Sequence, residues 1–171
     1  MDTGRAAAVA EGHRRIGNET VNAVAVSADG RTFLTGGADG TVRFWTADGR
    51  PAAAPLEVGA RVKGLAASPD GRLVVAGRNG VRIWTLPPDG PPSALPAAAG
   101  DVAAFAVCPD GRWVAAAGGR IWSGAAGGRV QEIRRPPGRG EVVGLAVAAD
   151  GGRIAVGLND GRVSLLPRPA P

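Results

Sequence analysis

The chain has 171 residues, 44% of them hydrophobic, with 28 glycines and 14 prolines. That is enough apolar content to form a core, which excludes a disordered tail. The net charge of +5 rests on 20 basic residues, of which only Lys63 is lysine; the bias toward Arg, Ala, Gly and Pro looks like the coding signature of a GC-rich genome, so charge alone does not imply nucleic-acid binding.

The amino-terminal stretch MDTGRAAAVAEGHRR holds no apolar run long enough for a signal-peptide core, and no segment approaches the roughly 20 apolar residues of a membrane span. The expectation is a cytoplasmic chain with no membrane partner. A single cysteine, Cys108, excludes an internal disulfide framework and a cysteine-cluster metal site. Within this stretch RAAAVAEGH reads as a lone strand leading into a loop at Gly12-His13.

From Val21 the run VNAVAVSADG places apolar residues in alternate slots and ends in Asp29-Gly30, the pattern of a strand closed by a tight turn. Asp favours such a turn by accepting bonds from nearby backbone N–H groups, and Gly accepts the positive φ it requires. TFLTGG follows as a second strand, and a further turn at Asp39-Gly40 leads to TVRFW as a third. AAAPLEV reads as an outer strand, where an edge tolerates proline because it can spare a ladder N–H.

The whole unit then recurs. Asp29-Gly30, Asp70-Gly71, Asp110-Gly111 and Asp150-Gly151 are spaced 41, 40 and 40 residues apart, and VKGLAASPDG, VAAFAVCPDG and VVGLAVAADG repeat the first run. A period near forty signals a repeat architecture. Outer strands are expected at PSALPA and GRVQEI, but the fourth copy stops at RVSLL and the tail PRPAP. The units are therefore four antiparallel meanders of about residues 21–60, 61–100, 101–140 and 141–166, after residues 1–20 and before a Pro-rich tail, 167–171.

These units resemble the WD40-repeat β-propeller family, whose repeat carries a Ser-Pro-Asp-Gly turn, a second Asp-containing turn and a strand ending in Trp. The matching residues are Ser68-Pro69-Asp70-Gly71, Asp39-Gly40-Thr41-Val42, and Trp45, Trp84 and Trp122. The resemblance implies an all-β fold, a propeller of four four-stranded blades per chain. It also implies a His in the loop before the first strand of a blade, joined to the turn Asp in a buried polar network. Gly12-His13 lies eight residues before Val21, a register too long for that role, so His13 is read as a partly exposed loop residue. Asn79 replaces the turn acid in the second copy and Gly118-Gly119-Arg120 loses it in the third. Apolar packing is expected to hold the blades, the third most loosely, with the Trp residues at one slot between them.

The missing last strand and the extra first one fit each other. Four blades closing alone must splay about 90° apart, whereas eight need about 45°. The expectation is a homodimer completing an eight-bladed ring, with residues 6–10 of each copy finishing the other's last blade; a self-closed four-bladed ring is the alternative. Such an exchange removes exposed strand edges.

Catalytic chemistry needs a base, a nucleophile or a metal gathered in one place, and one His with one Cys offers little. Cys108 aligns with Ser27 and Ser68 and reads as a small buried side chain. Eight of the ten aspartates directly precede Gly and serve turns. The glycines at 118–119 and 124–128 lead into no helix with Lys-Ser/Thr, so no phosphate cradle is expected. No catalytic residue, cofactor or metal is assigned. The function implied is a non-enzymatic protein-interaction scaffold of unknown partner, with Arg61, Arg78, Asn79, Arg120, Arg139 and Asn159 as partner-binding candidates on the loop face. One alternative is a basic nucleic-acid-binding module contacting phosphates through Arg134, Arg135 and Arg139, although Glu132 and Glu141 flank that cluster. Another is a structural half-propeller assembly unit with no ligand.

Overall fold

The structure is a computed structural model and describes residues 8–27, 29–68, 72–77, 80–85, 93–94, 101–108, 110–117, 119–125, 130–134 and 140–168. Each repeat folds into its own antiparallel sheet. Blade 1 comprises β1 (Val21–Val26), β2 (Phe33–Gly37), β3 (Thr41–Trp45) and β4 (Leu56–Glu57). Blade 2 comprises β5 (Val62–Ala67), β6 (Arg72–Gly77), β7 (Gly80–Thr85) and β8 (Ser93–Ala94); blade 3 comprises β9 (Val102–Val107), β10 (Trp113–Ala117), β11 (Arg120–Gly124) and β12 (Gln131–Ile133). Blade 4 has three strands among the described residues, β13 (Val142–Val147), β14 (Arg153–Leu158) and β15 (Val163–Pro167). The outer strands are shorter than the pattern suggests, two or three residues each. Proline-rich flanks limit how far an edge can pair.

The Asp-Gly turns work as the chemistry dictates. Gly30, Gly111 and Gly151 take φ of 71°, 77° and 68°, while Asp29, Asp110 and Asp150 each accept a backbone N–H two residues on. The first strand of every blade skips one residue in its ladder, leaving Asn22, Lys63, Ala103 and Val143 outside the regular register. Two of these side chains reach the next blade: Asn22 donates to the Val62 carbonyl at 3.1 Å and Lys63 to Asp101 at 3.0 Å.

The core lies between blades. Leu34, Val42 and Phe44 of blade 1 meet Val62, Leu65 and Trp84 of blade 2. Val81 and Ile83 of blade 2 meet Val102, Trp113 and Ala115 of blade 3. Val114, Ala116 and Ile121 of blade 3 meet Val142, Ile154 and Val156 of blade 4. Small residues set the spacing, since a Cβ on Gly36 would collide with Val62 and one on Gly64 with the Phe105 ring.

Blade 3 solves its packing differently from its sequence alignment. Trp45 and Trp84 sit opposite Phe33 and Leu73, but Trp122 sits opposite Ala115, one alternate slot earlier, and Gly124 takes the tryptophan slot opposite Trp113. The Trp113 ring fills the space that Gly124 leaves open, 2.6 Å from where a Cβ would stand. Blade 3 lacks the turn acid, yet β10 is buried at every residue.

The end blades each keep one face without a neighbouring blade. Val24 of blade 1 is 72% exposed where its counterpart Leu65 is 7% exposed, and Leu165 of blade 4 is 65% exposed where its counterpart Phe44 is 4% exposed. The described strands form an arc of four blades, with blade 1 packed on blade 2 and blade 4 on blade 3.

Because the inter-blade layer carries the burial, Leu34→Ala is expected to lower the unfolding free energy by about 3 kcal/mol, and urea titration measures it. A loss under about 1 kcal/mol would show that the layer repacks freely.

Candidate functional site

His13 is not a loop residue in solvent. Its side chain is 3% exposed and that of Asp39 is 1% exposed. The imidazole Nδ1 faces Asp39 Oδ1 at 3.1 Å and Oδ2 at 3.2 Å, and Nε2 lies 2.7 Å from Thr35 Oγ1. Thr35 Oγ1 also accepts the Trp45 indole N–H at 2.8 Å, so its own proton is free to point at Nε2, which leaves the ring proton on Nδ1 toward Asp39. Asp39 further accepts the Arg14 N–H at 2.8 Å and the Thr41 hydroxyl at 2.9 Å.

The long register is absorbed by a small hairpin. Ile16 and Glu19 exchange backbone bonds of 2.9 and 3.2 Å around Gly17, which has φ of 61°, and the additional residues loop out without moving His13. In blade 2 the buried Val58, four residues before Val62, packs into the apolar layer, and its carbonyl accepts Arg82 Nη1 at 2.6 Å.

A second polar feature crosses three blades. An open cleft of about 430 Å³ is lined by Glu19, Asn22, Arg61, Lys63, Val102 and Phe105, among others. Arg61 Nη1 pairs with Glu19 at 2.6 Å and Lys63 with Asp101 at 3.0 Å, so each cation is tied to a neighbouring blade. The cleft thus presents two positioned cations beside an aromatic edge, an arrangement suited to a protein surface rather than to bond making.

The other candidates scatter. Arg120 is exposed and pairs with Glu132 of its own blade at 3.2 Å. Asn159 holds Glu141, its side-chain carbonyl accepting the Glu141 N–H at 2.8 Å and its own N–H donating to the Glu141 carbonyl at 2.9 Å. Arg134 is exposed, whereas Arg78, Asn79, Arg135 and Arg139 lie outside the described residues. Of the described candidates, only Arg61 lines the cleft. Lys63, Asn22 and Phe105 were missed; the signal for the first two was their shared slot, second in the first strand of a blade. Cys108 is buried between blades 3 and 4, and burial pushes its thiol up, which disfavours the nucleophilic thiolate. Beside it, Arg168 Nη1 pairs with Asp110 at 2.5 Å and ties the end of blade 4 to a turn of blade 3.

Radially stacked four-stranded meanders with these Asp-Gly turns define a β-propeller repeat protein. Residues 6–46 match the WD40 family, described as WD domain, G-beta repeat, and the fold of the described strands is that of a β-propeller. Over 77 residues it is 40% identical to the small ribosomal subunit protein RACK1y of Oryza sativa subsp. japonica, a match covering 44% of this chain and 22% of the rice protein. The matched segment thus spans about a fifth of that curated relative. Among solved structures, the computationally designed Ika4 protein aligns with TM-score 0.76 at 23% identity, over 96% of this chain and 98% of its own. The computationally designed Ika8 protein aligns with TM-score 0.74 at 22% identity over 94% of this chain but 48% of its own. The Cps50 (Swd1) β-propeller domain of Myceliophteria thermophila aligns with TM-score 0.72 at 17% identity, over 94% and 55%.

The network predicts an acid-dependent latch. Burial raises the Asp39 pKa, but the bonds from Arg14, His13 and Thr41 outweigh it and lower the carboxyl from 3.8 to about 2. A depressed carboxyl stabilises the fold above its unfolded pKa, so about 2 kcal/mol present at neutral pH is lost as pH falls from about 4 to about 2. Urea unfolding of wild type and Asp39→Asn should differ most at pH 7 and converge only as the pH falls to about 2 and below. His13→Ala should cost about 2 kcal/mol at pH 7, because it strips a partner from the buried Asp39 carboxylate and from the half-buried Thr35 hydroxyl.

Proposed function

We propose that the chain is a non-enzymatic protein-interaction scaffold whose working unit is two copies completing an eight-bladed ring, each amino-terminal segment finishing the partner's last blade. The observation that carries the scaffold reading is the cleft where blades 1, 2 and 3 converge, with Arg61 and Lys63 held by cross-blade ion pairs beside Phe105. Fixed guanidinium and ammonium groups at an apolar edge suit an acidic segment of a protein partner, since the cost of ordering long side chains is already met within the fold. Arg120 and Asn159 stand on the same reading as further contacts, and Arg78, Asn79 and Arg139 join them as loop residues from the sequence. A cytoplasmic setting belongs to it too, in keeping with the ribosomal name of the rice relative; no described helix is long and apolar enough to cross a membrane.

Immobilised protein incubated with host lysate tests the scaffold. A partner kept by wild type should be lost from the Arg61→Glu/Lys63→Glu variant, with at least about a tenfold drop in retention and an unchanged far-ultraviolet dichroism spectrum. Equal retention by both proteins would remove the cleft from the reading. Retention abolished by nuclease would return the function to the nucleic-acid alternative built on Arg134, Arg135 and Arg139.

A further inference from the structure

The repeat allows each slot on an end blade to be compared with the same slot inside the arc. On the face that blade 1 turns to blade 2, Gly36 leaves room for Val62; on the face that blade 2 turns to blade 3, Gly64 leaves room for Phe105. Ladder register puts Gly157 of blade 4 in the Gly36 slot and Gly144 in the Gly64 slot. Here the glycines face open space: nothing lies within 4 Å of a Cβ on Gly144, and a Cβ on Gly157 would meet only the Gly144 backbone, at 3.8 Å or more. Neither glycine has a positive φ, so backbone geometry does not demand it.

The opposite end offers the matching knobs. Val21 stands in the Val62 slot and Val24 in the Phe105 slot, and with Val26 and Phe33 they form an exposed apolar strip on blade 1. Val163 and Leu165 of blade 4 occupy the slots that Val42 and Phe44 fill in blade 1, where both are buried against blade 2. These faces continue the series of three interfaces already formed inside the chain. Their exposure shows that they are not packed on each other within one copy.

We propose that two copies close into a ring through two identical seams. In each, the blade 1 strip of one copy seats on the blade 4 face of the other, with Val21 over Gly157 and Val24 over Gly144. This rests on the two-copy working unit proposed above and specifies its surfaces. Each copy carries one knob face and one glycine face, so a twofold axis satisfies both at once and leaves no open end. The amino-terminal segment fits the same arrangement. Residues 8–12 lie at the free side of blade 1, Gly12 beside Arg43 and Trp45 and residues 8–9 beside Gly49, where pairing would bring them to β15 of the partner. That strand is the outer edge of blade 4 among the described residues and gains cover from it.

Light scattering of the full chain and three variants tests the seam, with dichroism checking the fold of each. Wild type should give a two-chain particle. Gly144→Leu has space in the isolated chain but blocks the seat of Val24, so it should give a folded single chain, raising the dissociation constant by about 100-fold or more. Val24→Lys and Leu165→Glu should each be single chains alone and recover the two-chain particle when mixed in equal amounts, because the mixed pair has one native seam and one of opposite charges. Should Gly144→Leu misfold, the charge variants decide. A wild type that stays single at every concentration overturns the two-copy unit and the seam together. Two-chain particles in all three variants overturn the seam alone and place pairing on another surface.

Discussion

Face-to-face packing of small sheets is the constraint from which the other features follow. A four-stranded blade cannot bury both of its apolar faces by itself, and here the buried layers lie between blades. Side chains in such a layer are therefore stabilised by residues of the adjacent repeat, as Leu34 is by Val62 and Leu65, about thirty positions away. The alternation along the first strand of a blade then has two readers, one neighbour on each side. An end blade has only one, and its free face keeps the pattern without the burial.

Within that common plan the blades differ in what holds their loops. Blade 1 uses a polar latch in which one imidazole joins Asp39 to Thr35 and, through it, to Trp45. Low exposure makes these bonds count, since water cannot replace a lost partner. Blade 2 places Val58 in its layer instead, and blade 4 ties its loop through Asn159 and Glu141. Blade 3 packs Trp113 into the gap left at Gly124, at the opposite end of its strands from the β10–β11 turn.

The same cross-blade logic shapes the surface. Residues displaced by the ladder irregularity in the first strand turn toward the next blade, and Asn22 and Lys63 use this to reach Val62 and Asp101. A cleft built from such residues is only as fixed as the stacking beneath it. Its recognition properties and the ring assembly therefore depend on the same packing, which links the interaction surface to the oligomer through ordinary mechanics rather than through a separate switch.

What the sequence determined by itself is the periodic content: four units spaced by Asp-Gly turns, the strands between them, and a propeller class. These depend on local chemistry, on φ at glycine and on alternation, so a window of ten residues contains them. Tertiary structure alone decided matters that depend on distance in space. His13 is eight residues from Val21 in the chain, yet the hairpin at Ile16 and Glu19 returns it to Asp39. Trp122 aligns by letter with Trp45 and Trp84, but a two-residue difference in register gives that slot to Gly124. Counting residues measures contour length, whereas burial and bonding depend on where the backbone folds back, and a loop of different length can preserve or shift that position without altering the repeat.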